Sequence, residues 1–129
     1  MNVVDSSAWI EFLVDGPNAA FFEAPIRDAE ALLVPSISLF EVYRYVLRQR
    51  GREAALDVAA AMRQGRILEW DTSLAIEAAE LGVSLGLPLA DSVIYASALH
   101  HGAVLWTQDA DFAGLQSVEY RVRKPSSPD

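Results

Sequence analysis

The sequence predicts an α/β domain of three layers, with helices on both faces of a mostly parallel sheet. Three observations carry this. Five short apolar runs alternate with segments long enough to be helices, the pattern of a parallel sheet. The runs "ALLVP" and "AVLWT" are almost continuously apolar, as in strands buried on both faces. The chain has 129 residues, 52% of them hydrophobic, with no internal repeat and no dividing linker, so one core is expected.

The elements follow in order. "MNVV" is a short strand ending at Asp5. "SSAWIEFL" is a helix with a capping serine, its Trp9, Phe12 and Leu13 at helical spacing. Gly16 and Pro17 break it, and "NAAFFEAPIRDA" is a second helix interrupted or ended near Pro25. "ALLVP" (31–35) is the second strand. "SISLFEVYRYVLRQRG" is a helix capped by Ser36 or Ser38, with a stripe of Leu39, Val42, Tyr43, Val46 and Leu47, stopped by Gly51. "REAALDVAAAMRQG" is another, ended by Gly65. "RILEW" (66–70) is the third strand, and "DTSLAIEAAELGVSLG" a helix capped by Asp71. Pro88 opens "LADSVIYASALHHG", which Gly102 ends. "AVLWT" and "SVEYRV" are the fourth and fifth strands. The domain is expected to span 1–122, and the tail 123–129 to be loose.

Composition narrows the chemistry. There is no cysteine, so neither a disulfide framework nor a cysteine-rich zinc site is possible. "MNVVDSS" lacks a basic leader, and no apolar run approaches ~18 residues, so a cytoplasmic protein without membrane contact is expected. With 10 basic and 18 acidic residues the net charge is −8. That weighs against non-specific nucleic-acid binding through phosphate neutralisation. It does not weigh against carboxylates that hold divalent cations, because the ion reverses the local sign. An acidic surface also suits a basic protein partner.

In open parallel sheets the ligand site lies beyond the carboxyl ends of the strands. Asp5 directly follows the first strand, and Asp109 and Asp111 follow the fourth. Glu41 lies about one turn into the helix after the second strand. Asp91 sits in the first turn of the helix that Pro88 opens, a less certain position relative to that rim. Each has a local explanation: a cap, a dipole partner, an exposed helical residue, a turn. Together they would crowd one rim and raise at least one pKa, and a divalent cation relieves that repulsion most simply. All-oxygen donors favour a hard ion, Mg²⁺ or Mn²⁺. Two such ions about 4 Å apart can activate water and stabilise the leaving oxygen of a phosphodiester. No serine–histidine pair or glycine-rich phosphate loop competes, so metal-assisted phosphodiester hydrolysis is the leading chemistry.

These residues resemble a family. "VVDSSAWI" is similar to the opening of a PIN domain, "SLFEVYRY" to its second acidic motif, and "LPLADSVIYASALHHGAVLWTQDADF" to its third and fourth. The likeness spans nearly the whole chain, and its spacing is that of VapC-like toxins of toxin–antitoxin pairs. The resemblance implies a Mg²⁺- or Mn²⁺-dependent endoribonuclease on a sheet of order 3-2-1-4-5. Asp5, Glu41, Asp91 and Asp109 match the family's catalytic, metal-binding acids. Asp111, Thr107 and Ser6 or Ser7 match supporting positions. It also implies RNA as substrate, a basic antitoxin as partner, a homodimer, and larger assemblies with the antitoxin.

The chain departs from the family where Gln108 and Ala110 stand at positions often basic. Arg44, Arg48, Arg50 and Arg52 form the only notable basic cluster, read first as a solvated helix end and otherwise as an RNA contact. His100 and His101 suit a helix C-terminus. Trp9, Trp70 and Trp106 are assigned to the core or a partner groove. A phospho-receiver domain would need a lysine after the last strand, and the only lysine is Lys124 in the tail. The remaining rivals are a catalytically weak or inactive PIN-like module that binds protein, and a nuclease directed at DNA.

Overall fold

In the computed structural model, which describes residues 1–125, each expected strand and helix forms. The chain runs β1 (Asn2–Val4), α1 (Ser6–Leu13), α2 (Ala19–Arg27), β2 (Leu32–Pro35), α3 (Ser36–Arg50), α4 (Arg52–Met62), β3 (Arg66–Leu68), α5 (Thr72–Leu85), α6 (Leu89–His100), β4 (Val104–Thr107) and β5 (Val118–Tyr120). Short 3-10 turns at Ala29–Ala31 and Ala110–Phe112 lead into β2 and follow β4. The sheet order is β3-β2-β1-β4-β5, and every pairing is parallel. Of the tail expected to be loose, residues 126–129 lie outside the described residues.

Successive strand residues feed opposite cores, as the pleat requires. Val3, Leu33 and Leu105 pack with Ile94, Tyr95, Ala98 and Phe112 on the α6 side. Val4, Leu32 and Val34 pack with Trp9, Phe22, Val42, Val46 and Met62 on the side of α1 to α4. Apolar residues on both faces therefore leave polar ones no place within the central strands, only at their ends.

The caps differ from expectation in two places. Asp5, not a serine, caps α1: its carboxylate accepts from the Ala8 N–H at 2.9 Å, while Ser6 and Ser7 turn their hydroxyls elsewhere. At α3 the capping position is Pro35, and neither Ser36 nor Ser38 caps the helix. Ser38 is buried, its hydroxyl without a partner among the described residues. Asp71 caps α5 as expected, accepting from the Leu74 N–H at 2.8 Å. The strand "RILEW" ends at Leu68, and Trp70 is exposed rather than in the core.

Helices α5 and α6 meet at 112° across Gly86 to Pro88, and α6 turns back against the sheet. The two approach closely at Gly82, where a Cβ would strike the Ser92 hydroxyl. Ser92 is itself tied to the Pro88 carbonyl at 2.8 Å. This junction sets the position of the adjacent Asp91.

Candidate metal centre

Because all five strands run the same way, their carboxyl ends share one rim. Asp5 leaves β1 there, and it is 2% exposed. Its Oδ1 accepts from the Ala8 N–H and the Ser7 hydroxyl, each at 2.9 Å, and its Oδ2 accepts from the Thr107 hydroxyl at 2.6 Å. Burial pushes the Asp5 carboxyl up to about 6. The bonds from Thr107, Ala8 and Ser7 oppose that rise, and the charge of Asp109 adds to it.

Thr107 joins two acids. Fully buried at the end of β4, it donates to Asp5 and accepts from the Asp109 N–H at 2.9 Å. Asp109 in turn accepts from the Asp111 N–H at 2.9 Å, which closes the turn after β4. From the other side of β1, Glu41 on the second turn of α3 accepts from the Ser6 hydroxyl at 2.6 Å. Ser6 and Ser7 thus each hold an acid.

Asp91 feels the charge of every other acid in this group. Its carboxyl is raised to about 7, first by burial, then by the charges of Asp109, Asp5, Asp111 and Glu41. Oxygen atoms of Asp91, Asp109 and Asp111 lie within 4.8 Å of one another. The position least certain from sequence is the one on which all the others act.

No ion pair among the described residues offsets these charges. Among the described residues the ion pairs are Arg27–Glu23 and His100–Glu77, neither of which involves the five acids. A cluster of carboxylates with no ion-paired base among the described residues, offering only oxygen donors, fits a hard divalent cation.

Two features escaped the sequence. Gln108 is 3% exposed, and its side chain accepts from the Asn18 amide at 3.1 Å, so this loop position faces the interior. Asn18, also buried, donates to the Val122 carbonyl at 2.9 Å, and its N–H is held by the buried Glu11 carboxylate at 2.8 Å. The only sequence signal was the Gly16–Pro17 turn: Gly16 leaves space for the Glu11 carboxylate that a Cβ would fill.

A parallel five-stranded sheet of this order, with an acidic cluster at the strand ends, defines an α/β domain of the PIN type. The sequence matches the PIN domain over residues 3–117, and the chain belongs to that family. The fold is similar to a toxin–antitoxin complex chain from Klebsiella pneumoniae, with TM-score 0.77, 22% identity, and 92% of this chain and 96% of that one covered. It is also similar to Mycobacterium tuberculosis VapC20, described as a sarcin–ricin loop cleaving toxin, with TM-score 0.76, 22% identity, and 94% and 99% covered. A third, VapBC2 from Rickettsia felis bound to a DNA fragment of its promoter, has TM-score 0.72 and 16% identity, with 92% and 97% covered. No curated protein matches this sequence.

Proposed function

We propose that residues 1–122 form a Mg²⁺- or Mn²⁺-dependent endoribonuclease that serves as the toxin of a toxin–antitoxin pair in the cytoplasm. The observation that carries this reading is the cluster of Asp91, Asp109 and Asp111, whose oxygens lie within 4.8 Å of one another, with Asp5 and Glu41 near enough for their charges to act on Asp91 and no ion pair to any of the five among the described residues. Membership of the PIN family supports it, as does the likeness of the fold to the sarcin–ricin loop cleaving toxin. No single helix among the described residues is long and apolar enough to cross a membrane.

In this reading Asp5, Glu41, Asp91 and Asp109 hold the metal, with Asp111 at the solvent side. A divalent ion held by these carboxylates would supply charge stabilisation for the phosphodiester and a more acidic water. The chain's own work is positioning. Thr107 orients the Asp5 and Asp109 turns through one hydroxyl, and Ser6 fixes Glu41. A basic antitoxin is the partner that the acidic centre and the net charge of −8 would attract. A homodimer, and larger assemblies with the antitoxin, follow from the same family likeness.

The test is RNA cleavage by partner-free protein with Mg²⁺, with Mn²⁺ and with chelator, against structured RNAs and a DNA control. Cleavage that requires metal and is lost in Asp91→Asn supports the reading. Protein that binds Mn²⁺ but cuts no RNA would favour a protein-binding module instead, and cleavage of DNA alone would reassign the substrate.

A further inference from the structure

Helix α3 carries more than Glu41 toward solvent. Phe40, the residue before it, is 59% exposed, an unusual place for a large aromatic ring beside an acidic site. The Arg44 guanidinium lies 6.0 Å from its ring centroid, and Tyr45 is exposed one residue further on. Ser6, Ser7 and Glu41 from the acidic centre share a cavity of about 410 Å³ with Phe40, Arg44, Tyr45 and Arg48. Phe40 and Arg44 also wall a second cavity of about 820 Å³ that reaches Arg63 at the C-terminal end of α4. One groove therefore leads away from the carboxylates across α3, with Phe40 and Arg44 at its divide.

The charge of this groove is opposite to that of the molecule. Residues 36–65 carry five arginines against Glu41, Glu53 and Asp57, while the remainder has five basic residues against fifteen acids. Among the described residues Arg44, Arg48 and Arg63 have no acidic partner within ion-pair distance. Unpaired guanidinium groups beside exposed aromatic rings are what a single nucleic-acid strand requires: cations for the phosphates and flat faces for the bases. A basic protein segment would be repelled here, and an acidic peptide would leave the aromatic faces without a stacking partner.

We infer that Phe40, Arg44, Tyr45 and Arg48 form a shelf for single-stranded RNA flanking the scissile phosphate, with a base stacked on Phe40 and phosphates on Arg44 and Arg48. This rests on the ribonuclease reading and adds to it the path of the strand. It also gives the basic cluster on α3 a role beyond that of a solvated helix end.

The experiment measures fluorescence anisotropy of a labelled 12-nucleotide single-stranded RNA with full-length Asp91→Asn protein in Mg²⁺, so that the strand survives. Phe40→Ala should weaken binding about tenfold, the loss of one stacked base. Arg44→Ala with Arg48→Ala should weaken it at least as much, and should flatten the salt dependence by about 1.4 in log–log slope, the release of two phosphate contacts. Arg52→Ala, outside both cavities, should stay within twofold. In the Asp91 background the same substitutions should raise KM for RNA cleavage and leave kcat nearly unchanged. All these side chains are exposed or half-exposed, so matched melting curves verify the fold. Wild type that cleaves RNA while the α3 variants keep its KM and affinity would overturn the shelf and leave the nuclease standing. Wild type that neither binds nor cleaves RNA would overturn both. An Arg52→Ala loss equal to that of the double variant would overturn the shelf in favour of a diffuse field.

Discussion

Replacing Asp91 by asparagine should stabilise the metal-free protein, and the size of the effect follows from its surroundings. In the folded chain this carboxyl keeps its proton until about pH 7, whereas a free aspartate loses it near 3.8. Between those values the folded state binds more protons than the unfolded one, so the free energy of unfolding falls as pH rises. The penalty is absent below about pH 4 and complete above about pH 7. At about 1.4 kcal/mol per tenfold change in proton affinity, the full difference is about 4 kcal/mol, which solvent screening of this half-exposed group lowers to about 2. Asparagine forfeits a favourable charge in the first turn of α6, worth less than about 1 kcal/mol, so the net gain is about 1–2 kcal/mol. For a domain of this size that is a rise in Tm of about 3–6 °C. Thermal unfolding in chelator at pH 8 and pH 4 reads it directly. The gain should be present at pH 8 and vanish at pH 4, and saturating Mn²⁺ should reverse the order by stabilising wild type. An Asp91→Asn protein that melts at or below wild type at pH 8 without metal would refute the account of crowded charge.

Four further outcomes follow from the same geometry. Metal must displace the protons that Asp91 and Asp5 hold to about pH 7 and 6, so Mn²⁺ affinity by calorimetry should climb steadily from pH 5.5 to 8; a flat profile would exclude these two acids as ligands. Thr107→Val keeps the volume but leaves the Asp109 N–H and one Asp5 oxygen without their partner, so denaturant unfolding should show a loss of about 2 kcal/mol. The same variant should hold Mn²⁺ more weakly, since the Asp5 carboxyl rises further. Gly82→Ala gains about 1 kcal/mol of helix propensity but displaces the Ser92 hydroxyl at a packing cost of about 2, so a net loss of about 1 kcal/mol is expected in chemical denaturation.

How far the sequence could be read depended on the range of each interaction. The strands were visible because runs such as "LLV" are apolar on both faces, and the acids Asp5 and Asp109 because they follow strands directly. Glu41 needed only the helix that leaves β2. Asp91 was harder, since its place depends on the 112° junction of α5 with α6, which no local period encodes. The partners of these acids were not legible. Ser6 meets Glu41 across 35 residues, Thr107 meets Asp5 across 102, and Asn18 meets Gln108 across 90. A serine beside a helix start is read as a cap from sequence, and only packing shows that its hydroxyl has a more distant task. The exposure of Phe40 was hidden for the opposite reason: in sequence it is one more apolar residue in an apolar helix.

The stitch at Asn18 gives the far end of the domain a say in the chemistry. One amide group fastens both Gln108 and the Val122 carbonyl, and the Arg121 N–H holds the Thr107 carbonyl at 3.0 Å. The backbone leaving β5 is therefore hemmed to the same threonine whose hydroxyl grips Asp5. Arg121 lies over Phe21, 4.2 Å from the ring centroid, and weights that hem from outside. Residues 121 and 122 are thereby tied to the two residues that precede Asp109. The edge of the sheet is in this sense a handle on its centre.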